Sequence, residues 1–308
     1  MIVTRHLRTL TITGASGASR PPYLSAASGL VQAGKTLYVV ADDELHIGAF
    51  RVGSQNPGML IRCFDGVLPK AHAARKNAKP DLEALTMLPR FPGFPHGALL
   101  ALGSGSSAMR ERAALLWLDD EGEAPAGAVP IDFSRIHQGL ADRLGRPNIE
   151  GAVVRDEQFI LLQRGNTQMP SALVEIDLAD LLIDLAAGQT PWLRRAPTIR
   201  EIELGQLDGV PLHFTDGLAL SDGTLLFSAA AEDTGNAVDD GACKGSAIGA
   251  ISSGGTLQWI EPLDTPCKVE GVSAVADGKS LRLLMVTDAD DPGVAASLLA
   301  AEWRIGTP

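Results

Sequence analysis

Residues 213–233 read HFTDGLALSDGTLLFSAAAED, and Asp216, followed by Gly217, stands at the entrance of a strongly apolar run. A carboxylate placed there is costly to desolvate unless something draws it in. The same arrangement recurs in PDLEALTMLP around Glu83, NIEGAVVRDE around Glu150 and KVEGVSAVADG around Glu270. A fifth copy, LSAASGL, puts Ser28 in the acid's place before Gly29. Successive anchors are 55, 67, 66 and 54 residues apart, so the five copies fill the chain.

Each copy has the same internal order. The anchor opens a short apolar run, and further runs follow, bounded by Gly, Asp, Asn and Pro. Second runs include TLYVVAD (36–42), QFILLQRG (158–165) and TLLFSAAA (224–231). Third and fourth runs include AALLWLDD (113–120), SALVEIDL (171–178), TIREIEL (198–204) and TLQWIEPL (256–263). Runs of this length between turn residues read as antiparallel strands. Four-stranded units repeated along a chain are propeller blades. The expected fold is therefore all-β, a five-bladed β-propeller forming a single domain over residues 1–308, with six blades as the alternative. The last copy lacks a fourth run, and LRTLTIT (7–13) is expected to supply it, closing the ring and covering an edge strand.

Two helices are expected as insertions. FSRIHQGLADRLG carries Ile136, Leu140 and Leu144 on one face behind Ser134 as a cap, and DLADLLIDLAAGQ ends at Gly188. The segment LPKAHAARKNAKP, with Lys70, Arg75, Lys76 and Lys79, reads as a solvated basic loop.

Composition narrows the partners. The net charge of −11 and pI of about 5.0 argue against nucleic acid. No run reaches the roughly 18 apolar residues of a membrane span. The N-terminus has no signal-peptide pattern, so a cytoplasmic protein is expected, monomeric or weakly oligomeric. Three cysteines, Cys63, Cys243 and Cys267, form neither a disulfide framework nor a zinc spacing.

In a propeller the first strand of each blade lines the central channel, so the anchors Ser28, Glu83, Glu150, Asp216 and Glu270 converge on the axis. The small residues beside them let the backbones crowd together. Carboxylates meeting in a narrow channel need protons or a cation. An all-oxygen ligand set favours a hard ion, Ca2+ before Mg2+. Four carboxylates exceed a dication's charge, and Asn148, Lys268 and Arg164 are candidates to offset the remainder. The loops after the second strands, together with His213, Lys268 and Arg75, would form a polar funnel above the ring, taking a small-molecule substrate or ligand. There His213 and Asp288, or Glu232, are candidate acids and bases, and Arg164 a candidate anchor for an anionic group. No G-x-S-x-G, P-loop, G-x-G-x-x-G or H-E-x-x-H motif is present.

The order Ser28–Glu83–Glu150–Asp216–Glu270 resembles the five-bladed calcium-activated apyrase propeller, in which one residue per blade converges on a central Ca2+. PDLEALTML, NIEGAVV and KVEGVSAV also resemble repeats of phytase-like and esterase-like propellers. Gluconolactonase-type propellers are similar in style, and so are bacterial propellers of this kind with no assigned function. The resemblance covers the blade skeleton and implies the metal anchors. With the funnel, it leads to the expectation of a metal-dependent hydrolase of a phosphate ester, carboxylic ester or lactone. The alternative is a non-enzymatic propeller pinned by a structural cation, binding a ligand or partner on its top face.

Overall fold

Tight turns fold each apolar run back on the one before it. Gly34, Asp156, Gly223 and Gly278 all take positive φ where a first strand turns into a second. A computed structural model describes residues 1–13, 21–166, 169–233, 243–278 and 280–304. It begins with β1 (Thr4–Thr9), and five antiparallel sheets follow from the pairing. Blade one holds β2 (Ala27–Ala33), β3 (Thr36–Ala41), β4 (His46–Arg51) and β5 (Met59–Arg62). A short helix, α1 (His72–Ala78), leads into blade two: β6 (Leu82–Leu88), β7 (Ala98–Gly103), β8 (Arg112–Trp117) and β9 (Val129–Asp132). After α2 (Ser134–Leu144), blade three contains β10 (Ile149–Arg155), β11 (Gln158–Gln163), β12 (Ser171–Asp177), α3 (Leu178–Ala186) and β13 (Thr198–Ile202). Blade four adds a two-residue strand, β14 (Gln206–Leu207), to β15 (Val210–Ala219), β16 (Leu225–Glu232), β17 (Cys243–Ile251) and β18 (Leu257–Pro262). Blade five is β19 (Lys268–Asp277), β20 (Ser280–Asp288) and β21 (Ser297–Arg304), completed by β1.

The first strands β2, β6, β10, β15 and β19 each touch the next around the ring, and β19 returns to β2. Five blades therefore close a channel, as the spacing predicts. Alternation along the second strands builds the core between blades. On β11, Phe159 and Leu161 pack toward blade two while Ile160 and Leu162 pack toward blade four. Each remaining blade pair encloses an equivalent apolar cluster.

Closure by the N-terminal segment is as expected, but its register is shifted. The pairing strand is Thr4–Thr9, running from Thr4↔Ala301 to Thr9↔Ser297. Residues 10–12 instead leave the blade and bridge to blade one through Thr11↔Tyr23 and Ile12↔Gly58. Both inserted helices form. Ser134 does not cap α2; it is the first helical residue, and its N–H donates to Asp132 Oδ1 at 2.9 Å. Asp177 caps α3 by accepting from Asp180 N, and Gly188, at φ +63°, stops it. The basic segment folds into α1 rather than a loop; Arg75 turns inward, as expected for the funnel, and so does Lys79, which was expected in solvent.

Deleting residues 1–9 would bare the β21 edge and remove Arg8, whose guanidinium donates to Ser54 O and Asn56 O. The expected result is a lower Tm and concentration-dependent association, read by calorimetry and gel filtration. An unchanged, monomeric protein would show that this closure contributes nothing.

Candidate functional site

Every first strand carries a β-bulge at its channel end, and the bulged residue has no partner on the second strand. The bulges fall at Ser28, Glu83, Glu150, Thr215 and Glu270. Four of the five expected anchors thus occupy one structural position. In blade four that position belongs to Thr215, and Asp216 stands one residue on, opposite Ser228, where other blades have Gly29, Ala84, Gly151 or Gly271. The crowding there is real: a Cβ on Gly271 would lie 3.0 Å from the Gly29 carbonyl carbon, and one on Gly151 would lie 3.1 Å from Asp216 Cα.

Asp216 fills the axis itself. Its carboxyl accepts from Gly217 N at 2.8 Å and Val272 N at 2.9 Å, and also from the Leu30 backbone. Burial holds its pKa well above the usual range despite those three donors. It ties the inner strands of blades one, four and five together.

The bulge residues differ in how they are satisfied. Ser28 Oγ donates to Ala26 O at 3.1 Å, and Thr215 Oγ1 lies 2.8 Å from both Ser228 Oγ and Val269 O. Glu150 accepts from Asn148 Nδ2 at 2.8 Å and lies 3.5 Å from Arg164. Glu270 lies 2.9 Å from Lys268 Nζ. Glu83 is more than nine-tenths buried, and among the described residues it has no hydrogen-bond or ion-pair partner. Burial, then Glu150, Asp81, Asp42 and Glu270, raise its pKa well above the ordinary value.

Above the bulges a second tier of side chains encloses the mouth. Two residues before four of the bulges, on the same face of the strand, stand Asp81, Asn148, His213 and Lys268, with Ala26 at that place in blade one. The ends of the second strands add Asp42, Ser104, Arg164, Glu232 and Asp288. Lys268 Nζ bridges Glu232, Glu270 and Asp290 at 2.9, 2.9 and 2.8 Å. Arg164 pairs with Glu232 as well as Glu150. On the other side Lys79 pairs with Asp42 and, at 2.9 Å, with Asp81, which also accepts from Ser104 and Arg110. Carboxylate oxygens of Asp42, Asp81 and Glu83 all lie within 4.8 Å of one another. Eight carboxyl groups here, Asp290 included, outnumber four cations, Lys79, Arg110, Arg164 and Lys268, and burial pushes several of this excess toward the protonated form. The donor set around Glu83 is all carboxylate oxygen, and together with that excess it suits a hard dication.

The three expected catalytic side chains all reach this region. Arg164 is committed to Glu150 and Glu232, so it holds the ring together. His213 is buried, with Nδ1 3.3 Å from Ser171 Oγ, and burial followed by Arg164 lowers its pKa to about 4. Asp288 is buried too, its pKa raised well above normal by burial and by Glu270. With Asp42 and Lys79 it borders a cavity of about 130 Å3 that opens at the mouth. Sequence reasoning missed Lys79, Asp81, Arg110 and Thr215. Strand alternation from Glu83 points to Asp81; no local pattern marks Lys79, which arrives from outside the blade.

No helix among the described residues is long and apolar enough to cross a membrane. The fold is similar to that of an α-L-arabinofuranosidase from Podospora anserina, solved with cellotriose, at 12% identity over 98% of this chain and 96% of that one, TM-score 0.53. It is also similar to a luciferin-regenerating enzyme (12% identity, 92% and 93% covered, TM-score 0.45) and to the Cps50 (Swd1) β-propeller domain of Myceliophteria thermophila (13%, 89% and 71%, TM-score 0.38). At these identities the likeness is one of fold. None of the curated proteins matches the sequence. Residues 23–302 match the family of unknown function DUF6929, and the chain belongs to that family.

Proposed function

We propose that this propeller is a divalent-cation-dependent hydrolase, with Ca2+ preferred over Mg2+, acting on a small phosphate ester, carboxylic ester or lactone at the mouth of its channel. The observation that carries the reading is Glu83, a buried carboxylate without a partner among the described residues, beside Asp42 and Asp81. These three would hold the cation, while Glu150 and Glu270 keep their links to Arg164 and Lys268. When bound, such a cation polarises the scissile group and lowers the pKa of water. Asp288, pushed toward its protonated form by burial and by Glu270, borders the cavity, which suits donation to a leaving oxygen. His213 stays neutral there, a state that can accept a proton. Arg164 orients Glu150 and Glu232.

Thermal unfolding in chelator and then in Ca2+ tests the cation. The expected result is a rise in Tm with Ca2+ that Glu83→Gln abolishes; no rise in the wild type refutes the site. Hydrolysis of p-nitrophenyl phosphate, p-nitrophenyl acetate and a lactone then tests the activity. A cation-bound protein inert toward all three leaves a structural cation and a ligand-binding face.

A further inference from the structure

Lys79 occupies the place that the reading above gives to a cation. Its ammonium contacts Asp42 and Asp81, two of the three carboxylates grouped around Glu83. A dication and an ammonium cannot both take the same oxygens at contact distance; their repulsion in a buried site is too strong. One must leave when the other arrives.

The segment that carries Lys79 is built to leave. In α1 the residues Ala73 and Ala74 are exposed and Ala78 is only partly covered. The helix therefore has little apolar surface to hold it down, and its N-terminus has no side-chain cap. Its ties are polar. Arg75 Nη2 donates to Asp43 O at 2.6 Å and lies 3.7 Å from Glu44, while Arg110 donates to Lys76 O at 3.2 Å. Lys79 is the tie that reaches into the ring. Lys70, Arg75, Lys76 and Lys79 line the cavity together with Asp288, Asp290 and Asp291. An ammonium that backs out of the ring meets these carboxylates rather than bare solvent.

We infer that Lys79 is a tethered occupant of the cation site, so that cation binding displaces it and loosens the segment from Leu68 to Lys79. This rests on the proposed cation site. In the cation-free protein Lys79 neutralises Asp42 and Asp81 and holds α1 over the mouth. Once a dication takes those carboxylates, α1 loses its deepest tie and the mouth opens. The lysine thereby sets the affinity for the cation and couples it to access.

Isothermal titration of Ca2+ into wild type, Lys79→Met and Glu83→Gln, with hydrogen–deuterium exchange across residues 68–79, tests this. Competition predicts that Lys79→Met binds Ca2+ about tenfold tighter or more than wild type. In the wild type, exchange across 68–79 should rise on adding Ca2+, while the inner strands do not change in that direction. In Lys79→Met it should already be high without Ca2+. Wild type that binds Ca2+ with Lys79→Met no tighter, or with 68–79 equally protected, overturns the inference while leaving the site standing. Absence of Ca2+ binding by both wild type and Lys79→Met overturns the site, and the inference with it. The exchange experiment on wild type decides the matter even if Lys79→Met fails to fold.

Discussion

Replacing Lys268 with methionine is expected to destabilise the protein by about 3–5 kcal/mol, the cost of stripping the partner from buried charges. Lys268 has 5% side-chain exposure and joins three acids, Glu232, Glu270 and Asp290. Methionine fills similar volume, so the effect isolates the lost charge. At roughly 2–4 °C per kcal/mol, Tm should fall by on the order of 10 °C. Compared above pH 8, where Glu270 is ionised, the double variant Lys268→Met/Glu270→Gln should lose less than Lys268→Met, because one stranded carboxylate has been removed. Arg51 is the control: it pairs with Glu123 at the surface with 54% of its side chain exposed, and Arg51→Met should cost at most about 1 kcal/mol. Equal losses at the two sites would refute the account of the buried network.

The second large effect is on pH dependence. Burial, partly offset by Lys268, pushes Glu270 up to about 8, and burial holds Asp216 and Asp288 well above the usual carboxylate range. These groups retain protons in the folded state that the unfolded chain has released. Stability therefore falls as pH rises from the ordinary carboxylate pKa through about 8. His213 and His137, both lowered to about 4 by burial, act in the opposite sense, but only up to the ordinary imidazole value near 6.5. Between about pH 6.5 and 8 the carboxyls alone determine the sign. In chelator, the urea midpoint should drop across that window, and Glu270→Gln should flatten the drop. Added Ca2+ should also shrink it, since a cation beside Glu83 would favour the ionised form of the carboxyls around it. A midpoint that rises through the window in chelator would mean the ring is already ionised and balanced.

The repeat was legible because a propeller imposes the same requirement on every blade. Four of the five inner strands carry a small residue at the axis, and each second strand needs an apolar run to fill the space between blades. Gly29, Gly151, Gly271 and runs such as QFILLQ carry both signals. The one-residue displacement at Asp216 was not legible. Asp–Gly looks like Glu–Gly in a string of letters, and only pairing to the second strand shows that Thr215 takes the bulge. The position of Lys79 was hidden for a different reason: it depends on a loop folding over a neighbouring blade, and neither alternation nor spacing encodes that. The charges around the ring were readable as residue types, but their partnerships, Arg164 with Glu232 and Lys79 with Asp42, cross between blades.

The pairing of Thr4–Thr9 with β21 joins the first strand of this propeller in chain order to its last. On a ribosome, blades one to four can form as they emerge, yet the circle has to wait for β21. Until then the earliest segment is a loose ribbon with nothing to pair with, and the axial carboxylates lie open to water on one side. The axial ring, which draws on the inner strands of all five blades, is thus complete only once β21 has met β1.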